Sequence, residues 1–271
     1  MTILNETFTL SNDVPIPKLA FGTAPLRGED AYNAVLTALK AGYRHIDTAQ
    51  IYNNEQDVGR AIKDSGIPRE EIFITSKLDP SIKDYDQTLE AFEKTMERLE
   101  LDYLDLFLIH APWPFESQGT INNEGNMAAW QGLEMLYKEG SVCAIGVSNF
   151  DEDDIKNILW HGVEKPHANQ IKLHVGHPQQ DIVDFCKSEN ILVEAYSPLS
   201  RGKHLGDAKL RAIAQKHDVS TAQVALRFLL EQDLLPVARS ANPEHIKTNT
   251  KLSFTLDDED FESLRDLTFE E

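Results

Sequence analysis

Four side chains in this sequence stand at or just after short apolar runs. Asp47 closes His45-Ile46-Asp47 and Tyr52 follows shortly after. Lys77 closes Ile74-Thr75-Ser76-Lys77, and His110 closes the run Leu106-Phe107-Leu108-Ile109-His110. A phenol has a pKa of about 10 and gives up its proton poorly at neutral pH. A neighbouring ammonium lowers that value and makes the proton available. Lys77 supplies an ammonium that needs a partner in its apolar setting, and Asp47 has the opposite sign. His110 adds a hydrogen bond that orients a carbonyl oxygen. Together the four make a site that polarises and protonates such an oxygen. Singly, each has a plainer reading: a packed tyrosine, a structural ion pair, a satisfied strand-end histidine.

Such a site requires elements that bring all four to one rim. Short β-rich apolar runs alternate with longer amphipathic stretches from residue 20 onward. The strand candidates are 19–22, 44–47, 72–76, 104–110, 142–147, 168–171, 192–195 and 235–238, eight in all. Several are near-continuously apolar, as parallel strands buried on both faces are. Leu89, Phe92, Met96 and Leu99 recur at helical spacing within 88–99. Strand–helix alternation implies parallel pairing. Eight such units in 271 residues suit a single closed (β/α)8 barrel over residues 1–271, a fold of typically ~250 residues. Segments 7–10 and 14–18 flank Ser11-Asn12-Asp13 and read as a β-hairpin able to plug the barrel floor. In this fold the chemistry sits at the C-terminal strand ends. There the sequence places Asp47, Lys77, His110, Ser148 and Asn149, Gln170, Tyr196, and Arg239 and Ser240, from the second strand to the eighth in order. That shared rim shifts the balance from packing to function.

Lys and Arg number 26 against 45 Asp and Glu, a formal net charge of −19, which argues against nucleic acid or an anionic membrane as partner. Hydrophobic residues at 41 % are enough for a large core and argue against disorder. Cys143 and Cys186 read as reduced, buried thiols, with no metal site implied. The opening MTILNETFTL has neither the basic nor the apolar region of a secretion signal, and no run is long enough to span a bilayer. A cytoplasmic protein is expected, and a monomer, since no apolar stripe marks an interface.

Longer motifs carry a family resemblance. GYRHIDTAQIYNNE (42–55) resembles the aldo-keto reductase signature, with Asp47 and Tyr52 at its Asp and Tyr. FITSKL (73–78) and LDYLDLFLIHAPWP (101–114) resemble the segments that bear the family's lysine and histidine, here Lys77 and His110. GVSNF (146–150) and NQI (169–171) resemble its clamp on the nicotinamide carboxamide, giving Ser148, Asn149 and Gln170. EAYSPLSRG (194–202) resembles the segment whose aromatic, here Tyr196, stacks on the nicotinamide, and ARSANPEHIKTN (238–249) its adenosine-phosphate segment. The order holds over essentially the whole chain, as in a short, prokaryotic-type member similar to diketogluconate and aldose-type reductases. The resemblance implies hydride transfer from NADPH to a small carbonyl substrate, with Tyr52 as acid, Lys77 and Asp47 lowering its pKa, and His110 placing the carbonyl. Cofactor contacts are then expected from Thr23, Asp47, Ser148, Asn149, Gln170, Tyr196, Ser197, Leu199, Arg239, Ser240, Asn242, His245 and Asn249. No G-x-G-x-x-G occurs, so a doubly wound dinucleotide domain has no support.

Departures from the family pattern bear on specificity. Ala24 stands where a bulky aromatic is common, Ala111 follows the histidine where Trp is common, with Trp113 two positions on, and Asp79 replaces a frequent Trp. A wider, less apolar substrate pocket of Ala24, Tyr52, Asp79, His110, Ala111 and Trp113 is expected. An inward Asp79 would disfavour carboxylate substrates; the plain alternative is that it caps the next helix or faces solvent. His245 replaces an arginine found near the 2′-phosphate of NADPH, while Arg239 remains able to grip it. NADPH preference with more NADH tolerance than a two-arginine site follows. The alternatives are a non-catalytic NADP-binding relative with a sensing or structural role, as the family's channel β subunits and lens proteins are, and an unrelated barrel enzyme acting on sugar phosphates.

Overall fold

Each of the eight apolar runs becomes a strand of a closed parallel barrel in the computed structural model, which describes residues 3–269. An N-terminal hairpin of β1 (Thr7–Thr9) and β2 (Pro15–Pro17) precedes it, with Phe8 opposite Ile16. The barrel strands are β3 (Ala20–Gly22), β4 (His45–Asp47), β5 (Phe73–Leu78), β6 (Leu104–Ile109), β7 (Val142–Ser148), β8 (Ala168–Lys172), β9 (Leu192–Tyr196) and β10 (Leu235–Ala238). Val237 of β10 pairs with Tyr196 on one side and Ala20 on the other, which closes the ring. Helices α1 (Gly28–Lys40), α2 (Glu55–Ser65), α3 (Tyr85–Leu99), α4 (Asn123–Lys138), α5 (Glu152–His161), α6 (Gln180–Ser188), α7 (Ala208–Lys216), α8 (Thr221–Leu230), α9 (Pro243–Thr248) and α10 (Asp258–Arg265) follow the strands in turn. None of them is long and apolar enough to cross a membrane.

Strand ends differ from the sequence reading where polar side chains are buried. β5 runs on through Lys77 and Leu78, opposite Leu108 and Ile109. A lysine stays inside a strand here because its ammonium finds acceptors within the barrel. β6 stops at Ile109, so His110 opens the following loop. α3 begins at Tyr85, ahead of its first apolar repeat, because Asp84 Oδ1 accepts from the N–H of Gln87 at 3.0 Å and caps the helix.

The core has two layers. One lies between the barrel and its helices and includes Phe21, Phe107, Trp130 and Leu226, all buried. The other fills the barrel's lower interior with Phe73, Leu106, Leu108, Ala144 and Leu235, and Leu10 and Ile16 of the hairpin pack against them. Asn12 ties the hairpin turn to the wall by donating to the Cys143 carbonyl at 3.0 Å. Among the helices, α2 meets the end of α3 through Gly59. A Cβ there would lie 2.2 Å from the Leu99 carbonyl oxygen, so this approach requires glycine.

Candidate active site

Above the apolar floor the barrel interior turns polar, and its C-terminal mouth opens into a cavity of about 1250 Å³. Lys77 is fully buried behind it. Its Nζ donates to both Asp47 oxygens at 2.7 Å and to the Thr48 carbonyl at 2.9 Å. Tyr52 arrives by the turn Gln50–Tyr52 after β4, which ends with Asn53 in the left-handed region. The Lys77 ammonium lies 5.3 Å from the Tyr52 ring centre. The Tyr52 hydroxyl lies 3.5 Å from His110 Nε2, with the two rings edge to face. Asp47, Tyr52, Lys77 and His110 are thus brought together from three strands.

Charge settles how these groups sit. Burial pulls the Lys77 pKa down, but Asp47, with Tyr52 and Glu194, outweighs it and leaves the ammonium firmly charged. For Tyr52, burial is the largest influence and raises the pKa, Lys77 lowers it, and Asp47 raises it again. Lys77 therefore acts in the expected direction, yet the hydroxyl stands above a phenol's ordinary value and holds its proton at neutral pH. Burial first, then Lys77, depress His110 well below an ordinary histidine, so its ring is neutral. His110 Nδ1 is buried with no hydrogen-bond partner among the described residues. A proton there would be an orphaned donor, so the tautomer with Nε2–H facing the cavity is favoured.

The opposite wall is a hydrogen-bonded brace. Ser148 Oγ donates to the Gln170 carbonyl at 2.8 Å, and the Asn149 N–H donates to the same carbonyl at 3.0 Å. Asn149 Nδ2 donates to the His110 carbonyl at 2.9 Å and to Ser148 Oγ, while its Oδ1 accepts from the Tyr196 hydroxyl at 2.9 Å. Gln170 Nε2 donates to Asp47 Oδ2 at 2.8 Å and to Glu194 Oε2 at 2.6 Å.

Other residues fall into three groups. Ala24, Trp113, Ser197, Leu199 and Arg239 line the cavity with Tyr52, His110, Ser148, Asn149, Gln170 and Tyr196. Thr23 and Ala111 are buried outside the lining; Thr23 Oγ1 donates to the Asp47 carbonyl at 3.0 Å, and the Ala111 carbonyl accepts from Lys83 at 2.6 Å. Ser240, Asn242, His245 and Asn249 belong to the segment around α9, where Asn242 caps the helix and Asn249 ends it. The inward placement of Asp79 is corrected. Its Oδ1 accepts from the Ser81 N–H at 2.9 Å and from Ser81 Oγ at 2.6 Å, and it borders a separate depression beside α3. A carboxylate satisfied by its own turn has no reason to enter an apolar pocket.

Sequence reasoning missed Glu194 and Phe115. Glu194 is fully buried, and its signal was a lone carboxylate at an interior position of the apolar strand LVEAY. Phe115 meets His110 edge to face at 5.4 Å and extends the cavity wall beyond Trp113. Its loop gave no periodic signal.

Comparison with known proteins agrees with this fold. Residues 18–268 match the aldo/keto reductase family. Glyoxal reductase of Bacillus subtilis (strain 168) is 41 % identical, with 100 % of this chain and 95 % of that protein covered. Glycerol 2-dehydrogenase (NADP(+)) of Saccharomyces cerevisiae is 40 % identical, over 98 % of this chain and 91 % of its own. Among solved structures, an aldo-keto reductase from a Medee basin deep-sea metagenome library superposes with a TM-score of 0.92 at 41 % identity, covering 97 % of this chain and 95 % of its own. The Bombyx mori aldo-keto reductase in complex with NADP gives 0.88 at 33 %, covering 96 % and 92 %. With its barrel, its mouth and a match running nearly end to end, the chain belongs to the aldo-keto reductase family.

Proposed function

We propose that the chain reduces small aldehydes and ketones with NADPH, with Tyr52 as the general acid. The observation that carries this is the buried Lys77–Asp47 pair set against a protonated Tyr52, whose hydroxyl shares the cavity with His110 Nε2. The cavity suits a dinucleotide and a small carbonyl together, since its volume of about 1250 Å³ exceeds the ~300–1,000 Å³ of ordinary small-molecule pockets. Gln170 Oε1 accepts no hydrogen bond among the described residues, and Arg239 on the rim forms no ion pair among them. These offer an acceptor to an amide and a cation to a phosphate. Ser148, Asn149, Gln170 and Tyr196 would hold the nicotinamide end, with Ser197 and Leu199 beside it. Arg239, Ser240, Asn242, His245 and Asn249 would hold the adenosine-phosphate end, with NADH tolerated because His245 adds little charge.

When bound, the reduced nicotinamide supplies the hydride. His110 Nε2–H and the Tyr52 hydroxyl donate to the carbonyl oxygen and fix its position. Tyr52 passes its proton to that oxygen as negative charge develops on it. Lys77, held by Asp47, stabilises the phenolate left behind.

The test follows NADPH absorbance with glyoxal and a nitrobenzaldehyde, wild type beside Tyr52→Phe. Turnover should fall by about 10²–10⁴ in the variant, with NADPH binding changed less than about twofold. Equal turnover in both would remove Tyr52 from the reaction, and failure of either protein to bind NADPH would remove the cofactor assignment.

A further inference from the structure

We infer that Glu194 is a positioning residue that, together with Asp47, locks the side-chain amide of Gln170 with both N–H groups pointing into the barrel and its oxygen presented to the cavity. The inference rests on reading the cavity as a dinucleotide site and deepens it. Glu194 lies opposite Gln170 in the β8–β9 register, on the same inward face. Its Oε2 takes one Nε2 hydrogen at 2.6 Å and Asp47 Oδ2 takes the other at 2.8 Å. An amide whose two donors are both bound by carboxyl oxygens cannot rotate by half a turn without setting its own oxygen against them. Glu194 Oε1 is buried and has no hydrogen-bond partner among the described residues. Among the described residues the carboxyl group thus makes a single hydrogen bond, with Gln170, at the desolvation cost of a fully buried acid. A barrel interior filled for packing alone would hold an apolar side chain here.

The charged groups around Glu194 are Asp47 and Lys77, reached from β4 and β5, and Gln170 on β8 stands between them and it. Asp47 is already committed to the Lys77 ammonium. Glu194 is the second anchor that lets one carboxylate serve the lysine while the amide stays fixed. Gln170 Oε1 then meets an incoming primary amide as an acceptor only. The site therefore recognises the carboxamide N–H₂ of a nicotinamide and selects against a methyl ketone at the same ring position.

Binding measured by calorimetry tests this without turnover. The probes are NADP+, its 3-acetylpyridine analogue, whose methyl replaces the amide nitrogen, and 2′,5′-ADP, which lacks the nicotinamide half. Glu194→Met removes the acceptor, Glu194→Ala does so without new bulk should the methionine not fold, and Glu194→Gln restores an acceptor. Loss of one anchoring hydrogen bond, about 1 kcal/mol, should weaken NADP+ about fivefold in the apolar variants. The analogue and 2′,5′-ADP should change less than about twofold, so the preference for carboxamide over acetyl collapses, and Glu194→Gln should retain it. Equal weakening of all three ligands, an unchanged preference in the apolar variants, or a lost preference in Glu194→Gln would each overturn the inference. Wild type that binds none of the three would overturn the dinucleotide reading itself, a result separable from those on the variants.

Discussion

Replacing Glu194 with glutamine should make the protein more stable in alkaline than in acidic solution relative to wild type. Burial, with Asp47 adding to it, raises the Glu194 pKa from 4.5 to about 7. An acid whose pKa rises on folding favours the folded state while both states are protonated, below about 4.5. From there the unfolded chain ionises first, and stability drains by about 1.36 kcal/mol per pH unit until the folded-state pKa is passed. The span from 4.5 to about 7 then costs the wild type about 3 kcal/mol at pH 8 that glutamine, which does not titrate, keeps. Groups remote from Glu194 titrate alike in both proteins, and the Lys77 ammonium, its pKa pulled down by burial but raised overall by Asp47, stays charged across this window. In a chain of this size each kcal/mol moves Tm by about 2–4 °C, so the variant should melt roughly 6–12 °C above wild type at pH 8, relative to their difference at pH 4.5. Urea unfolding followed by tryptophan fluorescence, at half-unit pH steps on ligand-free protein, gives the difference directly. A stability difference that stays flat across this window would refute the idea that Glu194 carries a strained ionisation.

Arg239→Ala should weaken NADPH about tenfold, the loss of a charge-assisted contact, with NADH changed less than about twofold; titration of both cofactors checks it, and parallel losses would place the arginine elsewhere. Gly59→Ala drives a Cβ to 2.2 Å from the Leu99 carbonyl oxygen, against backbone that cannot yield, and should cost about 3 kcal/mol, read as a lowered urea midpoint with an unchanged slope. Asp79→Asn keeps the Ser81 contacts and should leave the turnover ratio of a neutral aldehyde to an anionic keto acid unchanged within about twofold; a marked gain for the keto acid would return Asp79 to the pocket.

The barrel was legible because its strands are buried on both faces and so stand out as apolar runs, and because the polar residues that end them share one rim. The runs at 104–110 and 142–147 lie within a residue of β6 and β7. Legibility failed where a polar group is satisfied by something distant in sequence. Lys77 closes its apolar run in the sequence, yet the strand range 72–76 stops one residue short of it; the Asp47 carboxylate lets the lysine stay within β5. Glu194 passed unremarked since its partner Gln170 sits on another strand. Asp79 failed the opposite way, its partner Ser81 being two residues on. The balance of influences on Tyr52 was out of reach for the same reason: the sign of Lys77's effect follows from charge, but the larger effect of burial belongs to the assembled barrel.

The hairpin beneath the barrel has a consequence for the protons above it. With Leu10 and Ile16 packed against Phe73, Leu106 and Leu108, the interior is closed from below by apolar side chains, and Asp47, Lys77 and Glu194 are buried above them. Water reaches them from the mouth, not from below. A ligand that fills the mouth therefore covers Glu194, whose pKa of about 7 leaves its proton variable near neutral pH, and fixes the protonation it had on the ligand's arrival. For as long as it stays, a change of pH outside is not felt within, and the site answers to the solution only between one occupant and the next.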